Sequence, residues 1–332
     1  MADKYYFYFF IIFSNFILFY FHEKLQRNII PIDKPNTRKI HSNPVLISGG
    51  LFFLINLFFL LLLNLTGQNI LDFPNKFIGN SFYLTAITLF CLGFVDDKTN
   101  LNANFKLITI ILILYLFLNF NDYFLIKSLN FSFVDKSISL GSYSTFFTIL
   151  CMALFINSFN MFDGINLQSG SYSLIFFVFF ILNNYNFIFC ILLLLPHILF
   201  LIKNYNSKSF LGDNGCYILS FIISIFIIDF YNNNKIYSDQ IFLLMMMPGA
   251  DMLRLFIIRI YNKKNPFSGD RKHLHHILLN HFSEKKVFRI LFIINLFIFI
   301  LVYYNFNSIL IFSLSILFFI LLISNKFLKR FN

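Results

Sequence analysis

The sequence predicts an all-α polytopic integral membrane protein of about eleven transmembrane helices. Its N-terminus is expected outside, and its active chemistry on the cytoplasmic face. Three observations predict this. Of the 332 residues, 58% are hydrophobic and only 12% charged, with a mean hydropathy of +0.74. Apolar runs near the ~20 residues that a spanning helix needs recur along the whole chain. The charges that do occur gather between those runs.

In order, the expected spans are 5–21, 45–63, 77–95, 105–121, 144–160, 170–183, 186–202, 211–229, 239–260, 287–304 and 308–324. Asn183, Asn184 and Asn186 divide the 170–202 stretch, which as one helix would exceed the bilayer thickness. The first run reads as a span rather than a signal peptide, because no basic segment precedes it and no small-residue cleavage site follows. One membrane-embedded domain over 1–332 is expected, and no soluble one. Loop 122–143 is long enough for a hairpin. There Phe131, Phe133, Ile138 and Leu140 alternate with polar residues around Asp135-Lys136.

Lys and Arg set the orientation. With the N-terminus outside, the outer segments hold Lys4, Lys76, Lys127, Lys136 and Lys235, five of the 26 basic residues. The rest lie in or near the cytoplasmic loops 22–44, 96–104, 161–169, 203–210 and 261–286. The net charge of +11 thus concentrates on one face, where it attracts anionic headgroups or substrates. Basic residues on short loops between spans do not suit a nucleic acid, and no nucleic-acid partner is expected. The lipid bilayer is one. Cys91, Cys151, Cys190 and Cys216 have no metal-type spacing and read as small buried apolar residues. The 52 Phe and the many Asn, Ile and Lys reflect A/T-rich coding and carry no functional reading. With no Trp, an interfacial belt rests on the 17 Tyr.

Acids recur at the cytoplasmic ends of the spans. Asp96 and Asp97 end span three. Asp163 follows span five, Asp213 opens span eight, Asp251 sits in span nine, and Asp270 precedes His273, His275 and His276. Adjacent carboxylates beside hydrocarbon stay ionised only with a cation or solvent at hand. If these acids converge, they require a hard divalent cation, most naturally Mg²⁺. Each has an ordinary alternative. Asp96-Asp97 suits a helix leaving the bilayer, Asp213 a helix cap, and Asp251 an ion pair with Arg254 three residues on. The histidines suit a solvated loop or a transition-metal site, although three His within four residues are not expected to point one way. Basic and glycine-rich features complete the set: Asp33-Lys34-Pro35-Asn36-Thr37-Arg38-Lys39-Ile40-His41, Ser48-Gly49-Gly50, and Arg259, Lys263, Lys264, Arg271 and Lys272. Arg and Lys partner phosphate, and a glycine pair admits close backbone approach to a ligand. Together these are the parts of phosphoryl transfer on a polyanion. No GxxxxGK loop marks an ATPase.

In five ordered stretches the chain resembles the polyprenyl-phosphate N-acetylhexosamine-1-phosphate transferases, which include the phospho-MurNAc-pentapeptide transferase of peptidoglycan synthesis. The stretches are Asp33 to Gly50, Gly93-Phe94-Val95-Asp96-Asp97, Asn157 to Gly164, Phe210 to Gly215, and Pro266 to His276. The resemblance implies that polyprenyl (undecaprenyl) phosphate attacks a UDP-N-acetylhexosamine, releasing UMP, with Mg²⁺ as cofactor and Mn²⁺ as a substitute. It implies Asp213 as the principal metal ligand, with Asp96 and Asp97 as the acidic pair that helps hold the ion and activates the lipid phosphate. Asp163 belongs to the nucleotide-binding and catalytic region, where Asn157 and Asn160 are implied in substrate binding. Asp33, Arg38, Lys39, His41, Asp270, Arg271, His273, His275 and His276 are implied in substrate binding. The implied setting is the bacterial inner membrane, in the first step of O-antigen, capsule or wall-polymer synthesis, with room for a homo-oligomer.

This chain departs from the family pattern twice. Many relatives carry Asp-Gly-x-Asp-Gly where this chain has Asp163-Gly164-Ile165-Asn166-Leu167, and Ser where it has Cys216. The pentapeptide branch tends to a three-His run and a Thr-Pro-Thr-Met-Gly-Gly loop, both absent here. A proton- or metal-coupled transporter is the competing class. It would place ionisable groups near mid-membrane and often carry an internal repeat, and this chain does neither.

Overall fold

Asparagine and glycine decide where this chain's helices begin and turn. The computed structural model describes residues 2–26, 30–35, 43–264 and 272–324. Its first elements are α1 (Ala2–Gln26), β1 (Ile32–Asp33), β2 (Val45–Ile47), α2 (Gly49–Leu65), α3 (Lys76–Thr99) and α4 (Ala103–Phe120). Next come β3 (Ser128–Phe131), β4 (Val134–Ser139), α5 (Ser144–Phe162), α6 (Gln168–Leu182), α7 (Phe187–Tyr205), β5 (Ser209–Phe210) and α8 (Gly212–Asn232). α9 (Ser238–Leu244), α10 (Met246–Tyr261), α11 (Leu274–Leu279), α12 (Glu284–Tyr303) and α13 (Ser308–Ile323) follow. Asn75 caps α3 by accepting the Ile78 N–H at 2.9 Å. Asn102 caps α4 through the Asn104 N–H at 2.9 Å, and Asn307 caps α13 through Ile309 and Leu310. Asn184 and Asn186 take positive φ, 52° and 43°, between α6 and α7. Asparagine tolerates that region better than most residues, so the expected break in 170–202 falls there.

Among the described residues, six helices are long and apolar enough to cross a membrane, and up to seven if the bent pair α9–α10 is one span. The protein is therefore a multi-pass membrane protein. The expected span 5–21 lies within α1, and 45–63, 170–183 and 308–324 correspond to apolar helices of 17, 15 and 16 residues. Span nine departs from expectation, because α9 and α10 meet at a 77° bend. Pro248, in the first turn of α10, has no N–H to reach the Leu244 carbonyl, and its ring crowds that carbonyl. The freed Leu244 oxygen accepts the Tyr172 hydroxyl instead, at 2.6 Å.

The chain also contains strands that an all-α class leaves out. β1 pairs antiparallel with β2, and β2 pairs parallel with β5. Strands of two or three residues fall below the length at which alternation can be read. β3 and β4 form the expected hairpin, but its turn is Ser132-Phe133 rather than Asp135-Lys136, which lie in β4.

Two compact units divide the chain: Met1–Asn121 with Ser173–Ile223, and Asp122–Tyr172 with Ser224–Asn332. In the first, α2 packs against α1, α3 and α7. Its core is aromatic. Phe82 stacks on Phe221 at 5.6 Å, and Phe117 meets the same ring edge-on at 5.4 Å. Asn15 and Asn56 exchange amide hydrogen bonds of 2.8 and 2.9 Å between α1 and α2, satisfying both buried groups. In the second unit α10 packs along α5, and α9 against α12 and α13. There Asp239 accepts from the Ser132 N–H and hydroxyl and so holds the hairpin turn.

Candidate active site

Three helix ends of the first unit bring charge together. Asp96 and Asp97 lie inside the last turns of α3, not after it. Consecutive helical positions point about 100° apart, so the two carboxylates serve different partners. Asp96 is 3% exposed. Its Oδ1 accepts the Leu101 N–H at 2.8 Å, and its Oδ2 lies 2.6 Å from Lys106 Nζ, which α4 supplies. The same ammonium is 3.4 Å from Asp213 Oδ2 at the start of α8. Asp97 instead accepts the backbone N–H groups of Asp213 and Asn214 at 3.0 and 3.1 Å, and the Asn214 side-chain amide. It is Asp97, then, that caps α8, a carboxylate at the positive end of a helix. Both its oxygens are engaged by protein, although it was expected as a metal ligand.

Glycine allows this approach. A Cβ on Gly93 would stand 2.5 Å from the Asn214 backbone, and one on Gly49 2.6 Å from Leu211 Cα. Gly212 takes φ +72°, which opens the turn into α8. The glycines expected to admit a ligand thus admit the 211–214 turn. β5 and β2 lead into it, with Ser48 N–H on the Phe210 carbonyl at 3.2 Å. Asp33 sits half-buried in β1, paired with Val45. Arg38, Lys39 and His41 lie outside the described residues, as do Asp270 and Arg271.

The second unit gathers the other candidates. Asp163 closes α5, its N–H on the Asn160 carbonyl at 3.1 Å, and it accepts the Ser169 hydroxyl. The Asn157 amide contacts Met252 Sδ at 3.8 Å. No Cβ fits on Gly164, because the His275 ring occupies that space. Asp163 and the histidine stretch, far apart in sequence, therefore meet. The Asn166 N–H reaches Glu284 Oε1 at 3.0 Å, and Leu167 holds φ +69°.

The three imidazoles are gathered, contrary to expectation. His273 stacks on His275 with centroids 5.4 Å apart and planes 8° apart, and His276 is 4.4 Å from His275. The reason is local: His273 is extended, preceding α11, so helical spacing does not govern its ring. Burial, and after it His276 and His273, push His275 down to about 3, leaving it neutral near pH 7. Asp251 pairs with Arg254 at 2.7 Å, and also accepts from Leu274 N–H at 3.0 Å and contacts His273 Nδ1 at 3.1 Å.

Sequence reasoning missed Lys106 and Glu284, and for Asp251 it weighed a cation site against an ion pair with Arg254 but not the contact with His273. Lys106 carried a signal, as an ionisable residue within an expected span, which marks function by default. Glu284 carried none.

The glycosyl transferase family 4 model matches residues 80–231. That segment carries Asp96, Asp97, Lys106, Asp163 and Asp213. A relative from Thermotoga maritima, named undecaprenyl-phosphate alpha-N-acetylglucosaminyl 1-phosphate transferase, is 27% identical over 78% of this chain and 77% of its own. Proteins of the same name from Escherichia coli O157:H7 and Salmonella typhi are 26% and 24% identical, over 83% and 82% of this chain and 77% and 76% of theirs. By these matches the chain is similar to glycosyl transferase family 4 over residues 80–231, and to these named transferases over most of its length.

Proposed function

We propose that the chain transfers N-acetylglucosamine 1-phosphate from UDP-GlcNAc to undecaprenyl phosphate, releasing UMP. An oxygen of the lipid phosphate attacks the phosphorus that carries the sugar, and the bond from that phosphorus to the UMP oxygen breaks. The observation that carries this reading is the Asp96–Lys106–Asp213 cluster, three ionic groups from three helix ends in an otherwise apolar chain. The names of the relatives supply the sugar and the lipid.

Mg²⁺ is the proposed cofactor, with Mn²⁺ as a substitute, and the residues fit it. Asp96 and Asp213 direct hard carboxylate oxygens at one cation, the Lys106 ammonium, so the place demands positive charge. Among the described residues no three His, Cys, Asp or Glu close into a full ligand set. Mg²⁺ needs none, since one or two carboxylates commonly hold it while water and substrate phosphates complete the shell. Asp213 and Asp96 would hold the ion. Bound there, it would neutralise phosphate charge as the bond order shifts. Asp97 fixes the turn that carries Asp213, and Lys106 lies against both Asp96 and Asp213. The histidine cluster and Asp163 take the nucleotide sugar, with neutral His275 packed against Gly164 as support.

The proposed setting is the cytoplasmic face of a bacterial inner membrane with the N-terminus outside, an orientation that the basic loops support. There a cytosolic UDP-sugar meets a lipid whose prenyl chain stays in the bilayer. The product would start a cell-surface polysaccharide. Purified protein in detergent, given undecaprenyl phosphate and Mg²⁺, is expected to release UMP from UDP-GlcNAc and to stop when the ion is chelated. Release from UDP-GalNAc or UDP-MurNAc-pentapeptide alone would reassign the sugar. No release from any donor would refute the reading.

A further inference from the structure

Asp251 does more than an ion pair requires. Its Oδ1 accepts from Arg254 Nη2 at 2.7 Å and from the Leu274 N–H at 3.0 Å, while Oδ2 faces His273 Nδ1 at 3.1 Å. Arg254 donates in turn to the Lys272 carbonyl. One buried carboxylate and its arginine thus grip the backbone on both sides of His273 as well as its ring. An ion pair inside a membrane protein would need only the first of these contacts.

The donor inventory fixes the proton. An ionised carboxylate only accepts, so the hydrogen between Asp251 and His273 belongs on Nδ1. That orients the ring and leaves Nε2 on the opposite edge, where it has no hydrogen-bond partner among the described residues. The stacked His275, with His276 at 6.4 Å, covers the ring's face. What His273 offers a ligand is therefore its Nε2 edge.

We infer that Asp251 is a positioning residue that sets the tautomer of His273 and aims Nε2 at a polar hydrogen of the nucleotide sugar. This rests on the proposed transferase reading for the identity of the ligand, but not for the tautomer. The group recognised is an N–H or O–H: a sugar hydroxyl, the acetamido N–H or the uracil N–H. Arg254 offsets the charge of Asp251, so the aspartate acts by orienting the ring.

Asp251→Asn tests this. The amide oxygen keeps Arg254 and the Leu274 N–H, and the NH₂ turns toward His273. Nδ1 must then accept, and the proton moves to Nε2. Histidine ¹⁵N spectra of the full chain in nanodiscs read that change without turnover, with the His273 signals identified by their loss in His273→Gln. In UMP release, Asp251→Asn is expected to lower kcat/KM for UDP-GlcNAc about 10²-fold or more, with KM for the lipid phosphate unchanged. His273→Gln should do the same, and the double variant should be no worse than the poorer single one. A wild-type proton on Nε2, no movement of it in Asp251→Asn, additive losses, or equal losses toward both substrates would each overturn the inference. A wild type that releases no UMP refutes the transferase reading instead, and the nitrogen spectra still decide the role of Asp251.

Discussion

The acidic cluster of the first unit and the histidine cluster of the second solve opposite problems with similar residues. In the first, Asp96 and Asp213 share one ammonium, Lys106, while Asp97 caps α8, so carboxylates outnumber cations. In the second, one carboxylate, Asp251, meets a guanidinium, a backbone N–H and an imidazole, and its charge is answered within the protein. A cluster with unanswered charge calls for an added cation. One that is internally complete calls for a ligand read by hydrogen bonds. Four experiments break or sharpen that contrast.

The largest effect is expected at Asp213. Asp213→Asn should cut UMP release by about 10³-fold or more while the protein stays folded and membrane-inserted. Near-normal turnover at saturating Mg²⁺ would remove Asp213 from the cation's place. Next is Asp97→Ala, which strips two backbone N–H groups and an amide of a charged acceptor. A loss of about 3 kcal/mol in detergent unfolding is expected. A loss no larger than that of Asp96→Ala would argue against Asp97 as the cap of α8.

Lys106→Met should make the acidic cluster lean on the added ion. The thermal shift given by Mg²⁺ should grow relative to wild type and vanish in Asp213→Asn. An equal shift in all three proteins would place the ion elsewhere. The smallest effect concerns pH and the other cluster. His275 resists protonation when folded, holding out to about 3, whereas the unfolded chain takes the proton near its ordinary value of about 6.5. Its contribution is therefore complete above that value and falls away as pH drops toward 3. Between pH 7.5 and 5 the loss should be on the order of 2 kcal/mol, and His275→Gln should flatten it in unfolding curves. Unchanged pH dependence in the variant would show that His275 is not the group titrating.

Hydropathy makes most helices of this fold legible, because burial against lipid or protein leaves the same apolar run. The turn at Asn184 and Asn186 was legible for a local reason, the tolerance of Asn for positive φ. The bend before α10 was not read, although Pro248 stood in plain view inside the expected span. A proline ends a helix or merely kinks it, and the presence of Tyr172 to take the orphaned carbonyl decides which. At the site, the acids could be found from their scarcity, but their partners could not. Lys106 with Asp96, and Glu284 with Asn166, are paired by packing across the chain. Asn166 shows the limit from the other side: as a departure from the family pattern it drew attention to its side chain, and nothing in the sequence signalled that its backbone N–H meets Glu284.

The bend between α9 and α10 also bears on how this protein enters its membrane. α9 has 7 residues, about 10 Å of helix, a third of the hydrocarbon thickness. α10 carries Asp251, Arg254 and Arg259, and each charge at a span's centre costs about 2.5–3.5 kcal/mol on insertion. Neither half is a self-sufficient passenger of the translocon. The pair settles only once the Asp251–Arg254 contact is made and α5 is there to receive α10. The carboxylate proposed to aim His273 thus also offsets the charge that its own segment carries into the membrane.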